Sequence, residues 1–279
     1  MFGKVVKHEL RTSAILYLVC FGIALLFCVA TIFNGKMAWY GNVKNDLAIT
    51  VWMFLILACS ISIVVLVLMY SVDTAIRYDR SMYGREGYLT FTLPISSTQL
   101  VLGKLTASVI WGIGVFVLCG LLCFSILYST IDSTENIVKI WEMLRTVFSQ
   151  SEIVSSILLF LGLCLVGILE TVATIYFSIC IAYLPCFRKG NRMIALGLFC
   201  ALTYVENKIL EFHPIYQDIV FAQDAEDMIY NSIQHMLSML RELFVLGIVL
   251  GTVFTVLYIG VTIYITKKHT SLQLSLIHI

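Results

Sequence analysis

Six long apolar stretches constrain the fold of this chain more than any other feature of its sequence. They cover roughly residues 14–33, 47–70, 104–128, 153–184, 192–206 and 243–266. A helix needs about 20 consecutive apolar residues to cross the hydrocarbon core of a bilayer. The fourth stretch is longer than that and is expected to protrude into water, whereas the fifth is short and ends in a polar segment. The pattern predicts about six transmembrane helices.

The composition supports the same fold class. Hydrophobic residues make up 60% of the 279 residues and charged residues 13%, whereas soluble domains are about half apolar and a quarter charged. So few charges do not cover the surface of a water-soluble domain of this length, so the apolar excess requires lipid. The sequence therefore predicts an all-α polytopic membrane helix bundle. Nucleic-acid binding is not expected, because the sequence has no concentrated basic region.

The distribution of Lys and Arg predicts the orientation. Segments 1–13, 71–104, 185–192 and 267–279 alternate with segments that face the other side of the membrane. The first set holds 12 of the 18 basic residues: Lys4, Lys7, Arg11, Arg77, Arg80, Arg85, Lys104, Arg188, Lys189, Arg192, Lys267 and Lys268. By the positive-inside rule both termini are cytoplasmic, in agreement with an even number of spans.

The chain shows no linker and no low-complexity tract, so one transmembrane domain over residues 1–279 is expected. In segment 1–13, Lys4, Lys7, His8 and Arg11 share one helix face. This spacing predicts a short amphipathic helix on the cytoplasmic leaflet, or alternatively a simple positive anchor. The first span is expected to be a retained anchor rather than a cleaved signal peptide. Residues 274–279 resemble a translated sequencing adapter and carry no weight here.

The predicted cytoplasmic loop, residues 71–103, contains turn signals. Gly84 and Gly87 permit turns that residues with a Cβ resist, and Pro94 prevents a continuous helix. Ser96 and Gln99 form a capping box that predicts the start of the third helix.

Three apolar residues, Leu89, Phe91 and Leu93, lie in this loop where water is expected. Either the loop folds against the membrane, or it is a docking surface for a partner.

The loop reads Gly-Arg-Glu-Gly-Tyr-Leu-Thr-Phe-Thr-Leu-Pro-Ile-Ser-Ser-Thr-Gln-Leu-Val-Leu-Gly-Lys-Leu and follows a basic start and two spans. This order resembles the permease subunits of ABC-2-type ATP-binding-cassette transporters, particularly those of Gram-positive bacteria. In that family a Leu-Pro-(Ile/Val)-Ser segment is followed by a helix that contains Lys-Leu. The likeness in topology covers nearly the whole chain, and the motif covers about 30 residues.

The resemblance implies a partner and a coupling segment. A separate ATPase subunit would bind ATP and Mg²⁺ and touch this loop, so this chain itself would bind no cofactor. The implied coupling residues are Tyr83, Arg85, Glu86, Tyr88, Leu89, Phe91, Leu93 and Pro94. The resemblance also implies a second permease chain, in a homodimer or heterodimer, and a multi-pass location in the plasma membrane.

Glu170 is the carboxylate placed well inside an apolar stretch, with Thr174 and Ser178 continuing its helix face. A charge at the bilayer centre costs about 2.5–3.5 kcal/mol on insertion scales, so a role in a transport pathway is one interpretation. The other places Glu170 near the inner headgroups, because the fourth stretch is long. Gly247 and Gly251 form a G-x-x-x-G pattern that permits close helix packing.

Segment 207–242 is expected to be extracellular. Ile215, Ile219, Met228, Ile229, Ile233, Met236, Leu237 and Leu240 recur there at near-helical spacing. Under the resemblance this amphipathic segment corresponds to the external helices that precede the last span of these permeases. An ordinary extracellular helix packed on the bundle fits the pattern equally well.

No enzymatic motif is recognisable. Gly103-Lys104 lacks the upstream glycine of a phosphate-binding loop, and neither H-E-x-x-H nor G-x-S-x-G occurs. No two cysteines form a C-x-x-C pair, and most lie in apolar runs as packing residues, so no metal site is expected. The predicted function is a permease subunit that exports a peptide, lipid or amphiphilic drug. The alternatives are an ion-coupled secondary transporter that uses Glu170, and a membrane scaffold or sensor.

Overall fold

The structure is a computed structural model that describes residues 2–40, 46–84, 87, 96–130, 145, 151–184, 190–211 and 231–277. These residues form six helices and no strand. The helices are α1 (Phe2–Tyr40), α2 (Asp46–Met82), α3 (Ser97–Ser129), α4 (Ser151–Ala182), α5 (Asn191–Glu211) and α6 (Asn231–Ile277). All six are long and apolar enough to cross a membrane. The prediction of an all-α membrane protein with six spans is confirmed.

The helices extend beyond the predicted spans. α1 has 39 residues and runs without a break from Phe2, so the predicted separate helix of segment 1–13 is the beginning of α1. Whether its basic face lies on a membrane surface stays a prediction. α2 continues to Met82 and α3 begins at Ser97, so the predicted loop of residues 71–103 is confined to residues 83–96. The reason is that no Gly or Pro interrupts α2 before Gly84.

α5 settles the length of the fifth span. Its 21 residues give a helix of about 31 Å, at 1.5 Å per residue, which matches a hydrocarbon core of about 30 Å. The short apolar stretch is therefore completed by the polar residues at its end, including Glu206 and Lys208.

Local hydrogen bonds fix two helix starts. The Gln99 N–H donates to Ser96 Oγ over 3.3 Å, as the capping pattern predicts. Gly190 precedes α5 with a φ of +79°, and its carbonyl oxygen accepts from the N–H groups of Met193 and Ile194. A glycine suits this position because a left-handed backbone crowds a Cβ.

The helices group into two compact units. The first unit comprises Met1–Asp73 and Thr106–Ser149. Within it, Tyr17 of α1 stacks on Trp111 of α3 with ring centroids 4.4 Å apart. Further along both helices, Gly35 lies against Ser129. Because the contacts advance in the same direction along both helices, α1 and α3 run parallel.

α2 runs antiparallel to α1 and α3 in this unit. Trp52 Nε1 donates to Ser129 Oγ at the end of α3, whereas Tyr70 Oη donates to the carbonyl oxygen of Ser108 near its beginning. Thr31 Oγ1 of α1 lies 3.0 Å from Cys59 Sγ of α2. The first three helices thus alternate in direction, as successive crossings of a membrane require.

The second unit comprises Thr74–Leu105 and Gln150–Ile279. Its main contact joins α4 and α6: Leu163 approaches Gly247, Val166 approaches Gly251, and the Phe177 ring stacks on Tyr258 at 4.7 Å. These contacts also advance together, so α4 and α6 are parallel, and α5 returns the chain between them. A single transmembrane domain over residues 1–279 stays a prediction.

We expect Gly35→Ala to destabilise the first unit. A Cβ at residue 35 would lie 2.7 Å from Ser129 Cβ and 2.9 Å from Trp52 Nε1, and overpacking of this kind costs about 1–3 kcal/mol. Thermal unfolding of the purified protein in detergent should show a lower midpoint.

Gly22→Ala is the matched control in the same helix, since nothing lies within 4 Å of a Cβ there. Without a clash, alanine in a helix interior is favoured over glycine by about 0.5–1 kcal/mol. Equal midpoints for the two variants would contradict the close contact between α1 and α3.

Candidate functional site

The segment predicted to contact a partner begins at Tyr83, directly after α2. The Tyr83 ring stacks on Tyr183, which follows α4, with centroids 4.3 Å apart and planes 5° apart. Tyr83 Oη donates to Cys180 Sγ over 3.2 Å. Burial raises the pKa of Tyr83 well above its usual range, so the hydroxyl stays protonated and available as this donor. Tyr83 therefore attaches the start of the segment to the end of α4.

Two glycines shape the turn that follows. The N–H groups of Tyr83 and Gly84 both donate to the carbonyl oxygen of Asp79, which closes the end of α2. A Cβ at Gly84 would lie 2.5 Å from the Arg80 carbonyl oxygen, and one at Gly87 would lie 2.6 Å from that of Met82. Both positions require glycine because the chain doubles back onto the helix it has just left.

A charged contact attaches the same helix end to α5. Asp79 Oδ2 lies 3.0 Å from Arg192 Nε at the start of α5. The Asp79 side chain is buried, whereas Arg192 is largely exposed, so solvent screens the pair and it contributes little stability. Burial, followed by hydrogen bonding to Asp79, raises the pKa of Tyr183 to about 12. Tyr183 thus remains a hydrogen-bond donor to the carboxylate at neutral pH.

These residues form one cluster, which we call the loop junction: Tyr78, Asp79, Tyr83, Tyr183 and Arg192. Tyr78 adds to it by stacking on Tyr176 of α4, with centroids 3.9 Å apart. The junction joins the end of α2 to the end of α4 and the start of α5. The remaining predicted coupling residues lie outside the described residues: Arg85, Glu86, Tyr88, Leu89, Phe91, Leu93 and Pro94.

A second polar cluster lies within the spans of the same unit. Glu170 of α4 interacts electrostatically with Glu206 of α5. Glu206 Oε1 accepts a hydrogen bond of 2.7 Å from Tyr258 Oη of α6. Two carboxylates that interact in this way repel when both are ionised, and the repulsion is stronger in a medium of low dielectric constant. We call Glu170, Glu206 and Tyr258 the carboxylate cluster.

Thr174 and Ser178, predicted to continue the face of Glu170, are both buried. Thr174 Oγ1 donates to the Glu170 carbonyl oxygen, and Ser178 Oγ donates to that of Thr174. This is a common way for hydroxyls to be satisfied within a helix. Their hydroxyl protons are therefore used by their own helix, and a role of these two residues in a pathway stays a prediction.

The two glycines of the G-x-x-x-G pattern face α4. A Cβ at Gly247 would lie 2.7 Å from Leu163 Cδ1, and one at Gly251 would lie 2.8 Å from both Val166 Cγ1 and Glu170 Oε2. The pattern thus places Glu170 directly against the backbone of α6. Gly251 leaves the space that this carboxylate occupies.

The sequence predicts only Tyr83 of the loop junction and only Glu170 of the carboxylate cluster as site residues. It placed Glu206 and Arg192 only at span ends and did not single out Cys180, Tyr183 or Tyr258. The available signal was a second carboxylate in an apolar stretch, at Glu206. Its side chain is oriented toward α6 by the packing of α5, which a sequence pattern does not specify.

Among the described residues, no group of three or more His, Cys, Asp or Glu side chains is placed to hold a metal ion. No protein-family model matches the chain, and neither the curated proteins nor the solved structures include a significant match. The site must therefore be interpreted from its own chemistry.

We expect opposite effects of neutralising the two carboxylates. Glu170→Gln keeps the shape of the side chain and removes a charge that repels Glu206, so the unfolding midpoint in detergent should be unchanged or higher. Glu206→Gln removes the charged acceptor of Tyr258 and should lower stability by about 1 kcal/mol.

Tyr258→Phe serves as the control. Both substitutions affect the same hydrogen bond, so combining Tyr258→Phe with Glu206→Gln should cause no further loss of stability. A larger loss for Glu170→Gln than for Glu206→Gln would show that the described hydrogen bond is not the stronger interaction.

Proposed function

We propose that this chain is the membrane-spanning permease subunit of an ATP-binding-cassette transporter of the ABC-2 type. In this proposal it exports a peptide, lipid or amphiphilic drug across the plasma membrane. A separate ATPase subunit binds and hydrolyses ATP, and this chain has no catalytic site of its own. Two permease chains, identical or different, form the complete pathway.

The loop junction is the observation that supports this proposal most. A short segment of 12 residues, 84–95, is held at its start by ring stacking on Tyr183 and at its end by the capped helix α3. Such a segment is held at both ends, and in this proposal its apolar side chains Leu89 and Phe91 contact the partner. A surface on which an ATPase subunit docks and exerts force needs this combination of fixed ends and apolar contacts.

The junction also provides a route for movement. Force on the segment acts on Tyr83, whose ring lies flat on Tyr183, and on Asp79, which is paired with Arg192. The segment is thereby attached to the end of α4 and the beginning of α5. ATP-driven closure of two ATPase subunits would shift these helix ends together and favour one state of the pathway over the other.

The carboxylate cluster favours a second candidate, an ion-coupled transporter. Glu170 and Glu206 lie in two neighbouring spans, and a cation or proton between them would relieve their repulsion. In that case transport would respond to an ion gradient and would need no ATPase partner. Under the first proposal, Glu170 instead lines the pathway of the exported substrate.

The orientation required by the proposal is tested by cysteine labelling in a cysteine-free background. Single cysteines replacing Lys44, Glu135 and Asp224 should react with a membrane-impermeant maleimide on intact cells. Cysteines replacing Arg85 and Lys189 should react only after lysis, because the excess of Lys and Arg places their segments inside. Labelling at Arg85 from outside would invert the topology and remove the docking segment from the cytoplasm.

The partner is tested by Leu89→Ala combined with Phe91→Ala. Loss of two buried side chains should weaken docking by about 3 kcal/mol or more. The variant should insert and fold normally, yet lose both copurification of a P-loop ATPase and the ATP hydrolysis that accompanies it. Pull-down from membranes and an ATPase assay in nanodiscs provide the two measurements.

Leu127→Ala combined with Phe124→Ala is the matched control, because these side chains are exposed on α3 within the spans. It should leave the copurified ATPase unchanged. Full ATPase retention by the loop variant would place docking elsewhere. Absence of any ATPase from the wild-type preparation would reject the proposal in favour of the ion-coupled or scaffold alternatives.

A further inference from the structure

An open groove runs between α4 and α6 on the second unit, apart from both clusters described above. Its volume is about 620 Å³, within the range of about 300–1,000 Å³ typical of small-ligand sites. It is lined by Leu159, Ser238, Arg241, Glu242, Val245, Leu246 and Val249. The α6 residues recur at helical spacing, so they form one continuous face of that helix.

Polarity changes along the groove from one end to the other. Ser238, Arg241 and Glu242 lie at the end where the span of α6 begins. Val245 and Val249 follow deeper in the span and are about half exposed, and Leu159 of α4 completes the apolar part. A groove with charge at one end and hydrocarbon at the other is complementary to an amphiphile.

The dimensions match one leaflet of a bilayer. From Ser238 to Val249 the helix rises about 16 Å, close to half of the roughly 30 Å hydrocarbon core. The charged end thus lies at the level of lipid headgroups, where Arg and Glu side chains reach phosphate and ammonium groups. The apolar part extends over the depth that one acyl chain occupies.

We propose that this groove binds a single phospholipid with a zwitterionic headgroup. Arg241 binds the phosphate and Glu242 the ammonium group, while one acyl chain lies along Leu159, Leu246 and Val249. The two adjacent opposite charges select a headgroup that also carries both charges, and an anionic headgroup without an amine would leave Glu242 facing a like charge. The site is independent of the proposed ATPase partner.

The α4–α6 pair is packed on one side and open on the side of the groove. Phe160 and Phe244 contact each other at 5.7 Å between centroids, and Leu163 packs on Gly247. These contacts close one side of the α4–α6 pair. The lining side chains Val245 and Val249 remain exposed, so in a membrane the surrounding lipid fills the space.

The test is native mass spectrometry of the full chain in detergent with two added lipids of identical acyl chains. Palmitoyl-oleoyl phosphatidylethanolamine carries an ammonium group, and palmitoyl-oleoyl phosphatidylglycerol carries none. We expect wild-type protein to retain phosphatidylethanolamine about fivefold more strongly, as expected for one charge contact near a membrane surface. Glu242→Gln should abolish this preference, and Arg241→Gln should weaken retention of both lipids about fivefold.

Val249→Trp fills the apolar part and should reduce retention of both lipids. Val256→Trp is its control, because Val256 is 71% exposed on the same helix and lies outside the groove. For the charges, the control is Lys208→Gln with Glu211→Gln, which removes two opposite charges at the end of α5, outside the groove.

Unchanged lipid preference in Glu242→Gln would overturn the proposal even if the tryptophan variant folds poorly. The same spectra report the number of chains. If Val249→Trp converts a dimer to a monomer without altering lipid retention, the groove belongs to a contact between two copies and not to a lipid.

Discussion

Close approach between helices is the constraint on which each unit depends. In hydrocarbon, no hydrophobic effect drives helices together, because lipid tails are as apolar as the side chains. Attraction comes largely from packing, and at Gly35, Gly247 and Gly251 a Cβ would force a neighbouring side chain to shift. Ring stacking at Tyr17 and Trp111 adds a large, rigid contact in the first unit. The pairing of α1 with α3, and of α4 with α6, follows from these few positions.

The same constraint decides where polar groups lie. Many hydroxyls in the spans donate to the carbonyl oxygen three or four residues earlier, as Ser62 and Thr174 do, so they require no partner helix. A carboxylate has no such option, because it has no proton to donate when ionised and the backbone N–H groups of a helix are already used. Glu206 therefore depends on Tyr258 of another helix. Glu170 lies where Gly251 leaves space, which ties the position of a charge to the packing of α4 on α6.

The sequence predicts the spans well because the thickness of the hydrocarbon core sets the length of each apolar stretch, and this length can be read directly from the sequence. It also predicts the cap at Ser96 and the importance of Gly84, since both depend on neighbours in the chain. It does not predict that α2 stays helical beyond residue 71, where the loop was expected to begin. It also does not predict which carboxylates interact. Continuation of α2 to Met82 depends on the absence of a helix breaker, not on hydrophobicity. The electrostatic interaction of Glu170 with Glu206 depends on the rotation of two helices about their axes. A shift of one residue along a helix changes the direction of the facing side chain by about 100°.

Under the proposed function, the modest contacts of the loop junction would transmit a large change. Its ion pair contributes little because Arg192 is exposed. The buried ring of Tyr78 and the stacked ring of Tyr83 therefore supply most of the attachment. Aromatic pairs of this kind add about 0.5–1.5 kcal/mol each beyond their burial. A partner that bound the adjacent segment equally well in both states of the helices would shift nothing, however tightly it bound. Under the proposed function, the attachment would therefore determine which helices move when a partner distinguishes between the two states, and it would add little to the energy of that movement.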